Sequence, residues 1–174
     1  VTGGGADHRF ARALDALYLA CIWGAGIAIA LMSVIIPVGV VMRYVFGFGA
    51  QWPEPIAILL MMVFTFIGAA AAYRAGGHIA VAMFTDALPA PLRSAAARLA
   101  DAGMAVLSAF VLWYGGRLCQ ATMGQTISEL PLLPVGVTYL PIPLGAAATL
   151  VFVLERIAYG AQTARAVVRV GEIE

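Results

Sequence analysis

Four apolar stretches constrain this chain more than any motif does. The first, Ala16 to Met42, has no charge in 27 residues. The second runs from Pro55 to Tyr73 between Glu54 and Arg74, and the fourth from Val135 to Leu154 before Glu155 and Arg156. Crossing about 30 Å of hydrocarbon takes about 20 apolar residues in a helix, and all three qualify. The third stretch, Ala102 to Gly116, is charge-free over only 15 residues, or about 22 Å at about 1.5 Å per residue. Its flanks must lengthen it, with Arg98 and Arg117 reaching outward to water. Composition agrees: 63% of the 174 residues are hydrophobic and 11% charged, with a mean hydropathy of +0.95. A soluble domain carries about half apolar and about a quarter charged residues. The reading is an all-α integral membrane protein, one domain over residues 1–174 with spans at about 16–42, 54–73, 98–120 and 135–156.

Four spans put both termini on one side. Arg9, Arg12, Arg74, Arg93, Arg98, Arg156, Arg165 and Arg169 lie with the termini, while only Arg43 and Arg117 lie opposite. The positive-inside rule makes the terminal side cytoplasmic. The first apolar stretch is too long for a signal-peptide core and lacks a clear cleavage site, so it reads as an uncleaved anchor. Cys21 and Cys119 would sit near opposite membrane faces, too far apart to pair across the roughly 7 Å that a disulfide allows. They read as small packing residues.

Between the spans, the connections differ in character. Val1 to Ala6 carries three glycines in a row and reads as disordered. Pro37 should kink span one. Gly24 with Ala28, and Gly26 with Ala30, place small residues four apart, a spacing that permits close helix contact in lipid. The outer loop from Arg43 to Glu54 holds Tyr44, Phe46, Phe48 and Trp52, aromatics suited to the headgroup level. Gln51-Trp52-Pro53-Glu54 reads as a helix start, with Pro in the first turn and a carboxylate near the positive helix end. In the inner loop, the ten residues Ile79 to Leu88 are apolar except Thr85 and Asp86. Too short to span, they suggest a short helix in the inner interface between spans two and three. Span three should start near Pro91 and set Arg98 and Asp101 on one face. Thr122 to Pro134 reads as a polar loop with Glu129, and Pro131, Pro134, Pro141 and Pro143 should make the start of span four irregular.

No Asp, Glu, Lys, Arg or His falls near the middle of any span. Titratable groups at hydrocarbon depth mark proton relays, ion paths and gating elements, so a self-contained carrier is not expected. The histidines, His8 and His78, belong to inner loops, which excludes haem ligation within the helices. No phosphate loop, metal-spaced cluster or nucleophile–base pair is evident. Enzyme activity, a cofactor and a metal are therefore not expected, and a net charge of +1 without a basic face argues against nucleic acid. Ser33, Thr65, Ser108 and Thr149 are the mid-span polar residues, usually satisfied by their own helix backbone. Gly68 and Ala69 to Ala72 give span two one smooth end, suited to packing on another helix.

Several ordered segments resemble the small membrane subunit of tripartite ATP-independent periplasmic (TRAP) transporters, the DctQ-type small permease. They are Arg43-Tyr44-Val45-Phe46, Trp52-Pro53-Glu54, Thr65-Phe66-Ile67-Gly68-Ala69-Ala70, then Arg74, Gly77 and His78-Ile79. Trp113-Tyr114-Gly115, Gly124-Gln125-Thr126 and Tyr139 with Pro143 follow. The chain departs from the family's habit at Pro55 and Ala82, where a carboxylate is often found. The resemblance implies a non-catalytic subunit of an inner-membrane symport system. Its partners would be a large, sodium-coupled elevator permease, a soluble periplasmic receptor for an organic anion, and membrane lipids. In that picture the subunit enlarges the stationary scaffold and offers part of the outer docking face. Arg43, Trp52, Glu54, Gln125 and Glu129 would face the receptor. Arg74, His78, Gly68 and Arg98 are candidates for contact with the large subunit or lipid, although Glu54 also suits a helix start and Arg74 a helix end. Two other classes remain: a self-sufficient oligomeric channel or exporter, for which no polar stripe is present, and a membrane anchor for a soluble enzyme.

Overall fold

Uninterrupted apolar sequence gives uninterrupted helix. The computed structural model describes residues 4–47, 49, 51–76, 89–128 and 130–159. Helix α1 is Gly4–Tyr44, α2 is Pro53–Arg74 and α3 is Ala90–Thr122. A hairpin of strands β1 (Thr126–Ile127) and β2 (Leu130–Pro134) follows, then the single turn α4 (Val135–Tyr139) and the helix α5 (Pro141–Tyr159). Among the described residues, four helical stretches are long and apolar enough to cross a membrane: Ala11–Tyr44, Pro53–Arg74, Leu92–Thr122 and Val135–Ala158. The chain is an all-α integral membrane protein. The short interfacial helix expected over Ile79 to Leu88 lies outside the described residues.

Helix α1 carries through Pro37, whose ring leaves the Ser33 carbonyl without its usual donor one turn on. The Ser33 hydroxyl itself donates to the Ile29 carbonyl at 2.9 Å. The third helix grows past its charge-free core at both ends, with Arg98 and Arg117 both exposed. Its first residue follows Pro89, which ends the preceding chain in an extended conformation.

The long helices form a row in the order α1, α2, α5, α3 rather than a closed bundle. Small residues set each contact. Of the two pairs in α1, Gly24 and Ala28 face α2, whereas Gly26 and Ala30 point outward. A Cβ on Gly68 would lie 3.5 Å from Ala25, and Cys21, Ala25, Ala28, Ala70 and Ala71 are buried along this seam. A very close approach joins α2 to α5. There a Cβ on Gly145 would lie 2.5 Å from the Phe66 carbonyl oxygen. Helix α5 is the most enclosed, with 44% of its apolar window buried against 6% in α3. One long flank of α3, including Leu99, Val106, Phe110 and Trp113, is therefore left open.

The loop expected between spans three and four contains the hairpin. Thr126 pairs with Pro134 and Ile127 with Leu130, with a bulge between them. A two-stranded ribbon is all edge, so Pro131 and Pro134 can sit in it without breaking a central ladder. The Val135 N–H donates to the Gln125 carbonyl at 2.8 Å and closes its base. The proline-rich start of span four is irregular as expected: α4 stops at Tyr139 and α5 restarts at Pro141. Gly136 allows α4 to sit against α3, where a Cβ would lie 2.5 Å from the Cys119 carbonyl oxygen.

Candidate functional site

Charged side chains gather at both ends of the row. At the end that holds the start of α1 and the end of α5, two adjacent residues on α2 meet two adjacent residues on α5. Arg74 occupies the last turn of α2 and its side chain is only 8% exposed. Its Nε and Nη2 donate to Oε2 and Oε1 of Glu155, both at 2.9 Å. Nη2 also donates to Asp15 Oδ1 of α1 at 2.7 Å. This two-pronged geometry is the strong form of an arginine–carboxylate pair. The guanidinium also lies over the rings of Tyr18 and Phe152, 5.1 and 5.4 Å from their centroids, within cation–π range. The preceding residue, Tyr73, turns the other way and donates its hydroxyl to Asp101 Oδ1 of α3 at 3.0 Å. Arg156 Nε reaches the same oxygen at 3.1 Å, with its guanidinium 5.8 Å from the Tyr73 ring centroid.

These contacts join all four long helices. Neighbouring residues on a helix point about 100° apart, so Tyr73 and Arg74 reach different partners. Arg74 gathers α1 and α5, while Tyr73 and Arg156 gather α3. Removing a charge-neutralising partner from such a buried set costs about 3–5 kcal/mol. Asp101 thus takes Arg156 and Tyr73 as partners, not Arg98, which corrects the same-face pair expected from sequence. Arg74 faces into the row, not the surface. Gly68 lies in the α1–α2 seam and Arg98 is exposed on α3. His78 lies outside the described residues. Sequence reasoning did not find Asp15, Asp101, Glu155 and Arg156 as a set. The available signal was that these charges all bound the apolar stretches on one side.

At the opposite end, the last turn of α1, the first turns of α2, the hairpin and α4 enclose a cavity of about 500 Å³. Arg43, Gln51 and Glu54 line it, with Thr138 and Tyr139 facing them from α4. Pro53 is buried at the start of α2, and Glu54 lies in that helix's first turn, where a carboxylate is favoured by the helix dipole. Arg43 and Glu54, candidates from sequence, are thus brought together. Gln51, Thr138 and Tyr139 join them only through the fold. Trp52 is half-buried at the N-cap of α2, Gln125 is exposed at the hairpin base, and Glu129 lies outside the described residues.

Comparison with known proteins fits this architecture. Residues 32–163 match the family described as tripartite ATP-independent periplasmic transporters, DctQ component. The chain belongs to the DctQ family. A Haemophilus influenzae protein that carries the provisional name TRAP transporter small permease protein is 26% identical over 132 residues, covering 76% of this chain and 77% of that relative. The DctQ match runs from the middle of α1 to the end of α5 and contains Arg43, Glu54, Arg74, Asp101, Glu155 and Arg156. Asp15 lies before it. The chain is therefore a multi-pass membrane protein and a small subunit of a TRAP transporter.

Proposed function

We propose that this DctQ-family chain is the non-transporting scaffold of a sodium-coupled TRAP symporter. It binds the large elevator permease along its open flank and helps a periplasmic receptor deliver an organic anion. It lies in the bacterial inner membrane with both termini in the cytoplasm, as the arginine distribution favours.

The observation that carries this reading is where the titratable groups stand. The described Asp, Glu and Arg side chains of the spans cluster toward helix ends, and the buried ones are committed to each other through Arg74 and Asp101. The mid-depth hydroxyls of Ser33 and Thr149 donate to carbonyls of their own helices, Ile29 and Gly145. An ion path needs polar or charged groups along a pore, so energy coupling belongs to a partner. The row of helices, closed by charge pairs on one side of the membrane and open along α3, is built to be a rigid wall.

Reconstitution tests this directly. Vesicles with the chain alone are expected to show neither sodium-driven accumulation nor conductance, while uptake is restored with the large permease and the receptor. Accumulation or current from the chain alone would overturn the proposal in favour of a self-sufficient carrier or channel. Substituting Arg43, Trp52, Glu54 and Gln125 together is expected to weaken receptor-dependent uptake while membrane insertion persists. Unchanged uptake would dismiss the docking role.

A further inference from the structure

The cavity at the hairpin end continues into a second space. An apolar groove of about 340 Å³ runs between α1 and α2, and it shares Arg43, Glu54 and Ile58 with the polar cavity. Its walls are Met32, Ile36 and Val40 on α1, facing Ala57, Ile58 and Met61 on α2. The α1 set recurs every four residues, and Ala57 and Ile58 lie four and three before Met61, so each is one face of its helix. The groove is polar at the mouth and apolar along its length.

Its depth is that of one leaflet. From Arg43 to Met32 is 11 positions, about 16 Å at about 1.5 Å per residue, close to half of a hydrocarbon core about 30 Å thick. Beyond Met32 the helices close on each other: Ala28 is 2% exposed, and Gly68 meets Ala25. A transmembrane helix of a partner would need a groove of full depth. A single acyl chain needs half.

The mouth has both signs of charge. Arg43 and Glu54 line the same two spaces, yet among the described residues no ion pair within 4 Å joins them. Arg43 suits a phosphate, which it can bind through two parallel N–H donors. Glu54, with Gln51 and Thr138 on the same walls, offers acceptors to a group that donates several hydrogen bonds, as a primary ammonium does.

The geometry points to a site for one zwitterionic phospholipid with a primary amine headgroup, its phosphate on Arg43, its ammonium on Glu54 and one acyl chain in the α1–α2 groove. This does not rest on the transport role. It requires only that the hairpin end lies at a membrane surface. A lipid held there would wedge α1 against α2 near where Gly39 meets Pro53, a Cβ on Gly39 lying 2.8 Å from the Pro53 ring.

The full chain, reconstituted in nanodiscs of equal phosphatidylethanolamine, phosphatidylcholine and phosphatidylglycerol with matched acyl chains, then released for native mass spectrometry, tests the site. One phosphatidylethanolamine per chain is expected, favoured about tenfold over phosphatidylcholine, the scale of one hydrogen bond to a charged group. Glu54→Gln should abolish that preference while phospholipid is still retained. Arg43→Gln should reduce retention of all three lipids. Ala57→Leu, which narrows the groove without touching a charge, should reduce retention with the headgroup preference unchanged, and helicity by circular dichroism confirms that each variant is folded. Equal retention of the three lipids by the native chain, or a preference that survives Glu54→Gln, would overturn the assignment. So would photo-crosslinking from position 57 to a helix of the large permease in place of lipid, since a protein partner would then fill the groove.

Discussion

The two ends of this helix row carry the same kinds of residue and use them in opposite ways. At one end Arg74 is clasped by Glu155 and Asp15, and Asp101 holds Tyr73 and Arg156. At the other, Arg43 and Glu54 stand on the walls of an open cavity. The difference lies in what surrounds them. Arg74 sits among Tyr18 and Phe152 on converging helices, where an unpaired charge is costly. Arg43 and Glu54 are exposed at helix ends beside an irregular hairpin, where water or headgroups satisfy them and no pairing is forced. Charge that is buried becomes structure; charge that stays open is available to a partner.

Breaking the closed end should have the largest effect. Arg74→Ala strands Glu155, which is 6% exposed, and should destabilise the chain by about 3–5 kcal/mol. Thermal unfolding in detergent would show this as a markedly lower midpoint and poor recovery from membranes. Replacing Arg74 and Glu155 together with Met and Leu should recover much of the loss, because the cost comes from an uncompensated charge, not from the missing pair. A midpoint as low in the double variant as in Arg74→Ala would contradict that account.

Overpacking the seam between these ends comes next. Gly145→Leu drives a side chain into the Phe66 carbonyl and should cost about 1–3 kcal/mol or more, read as a lower midpoint and altered protease sensitivity of α5. Tyr73→Phe deletes one hydrogen bond to Asp101 while Arg156 remains, so a loss of about 1 kcal/mol is expected. A larger loss would mean that Tyr73, rather than Arg156, holds α3. At the open end, Glu54→Gln should change stability by no more than about 0.5 kcal/mol. If its midpoint falls as far as that of Tyr73→Phe, the contrast between a closed and an open end fails.

Much of the fold was legible because its strongest signal is local. The runs from Ala16 to Met42 and Pro55 to Tyr73 need no partner to become helix in lipid, where the backbone must satisfy itself. The irregular start of span four followed from Pro134, Pro141 and Pro143, and the extended third helix from the short charge-free core between Arg98 and Arg117. The hairpin was less legible: Leu130-Pro131-Leu132-Leu133-Pro134 lacks the alternation of a strand, and its pairing depends on the short turn that returns it to Thr126. At the candidate sites, Glu54 was singled out from its place at the start of span two, and Arg43 from the family resemblance. Tyr139 came only with the family resemblance, and its position opposite them came only with the fold.

The sequence by itself determined that this chain crosses a membrane, where its helices run, and that their mid-depth positions carry no titratable group, since each of these depends on a residue's near neighbours. Only the tertiary structure decided which helices touch, and therefore that Arg74 takes Asp15 and Glu155 while Asp101 takes Arg156 and Tyr73. Partners 28 to 81 positions apart leave no periodic trace. Which carboxylate meets which arginine is fixed by how close Gly24, Gly68 and Gly145 let the helices come, and backbone approach is a property of the packed row rather than of any one segment.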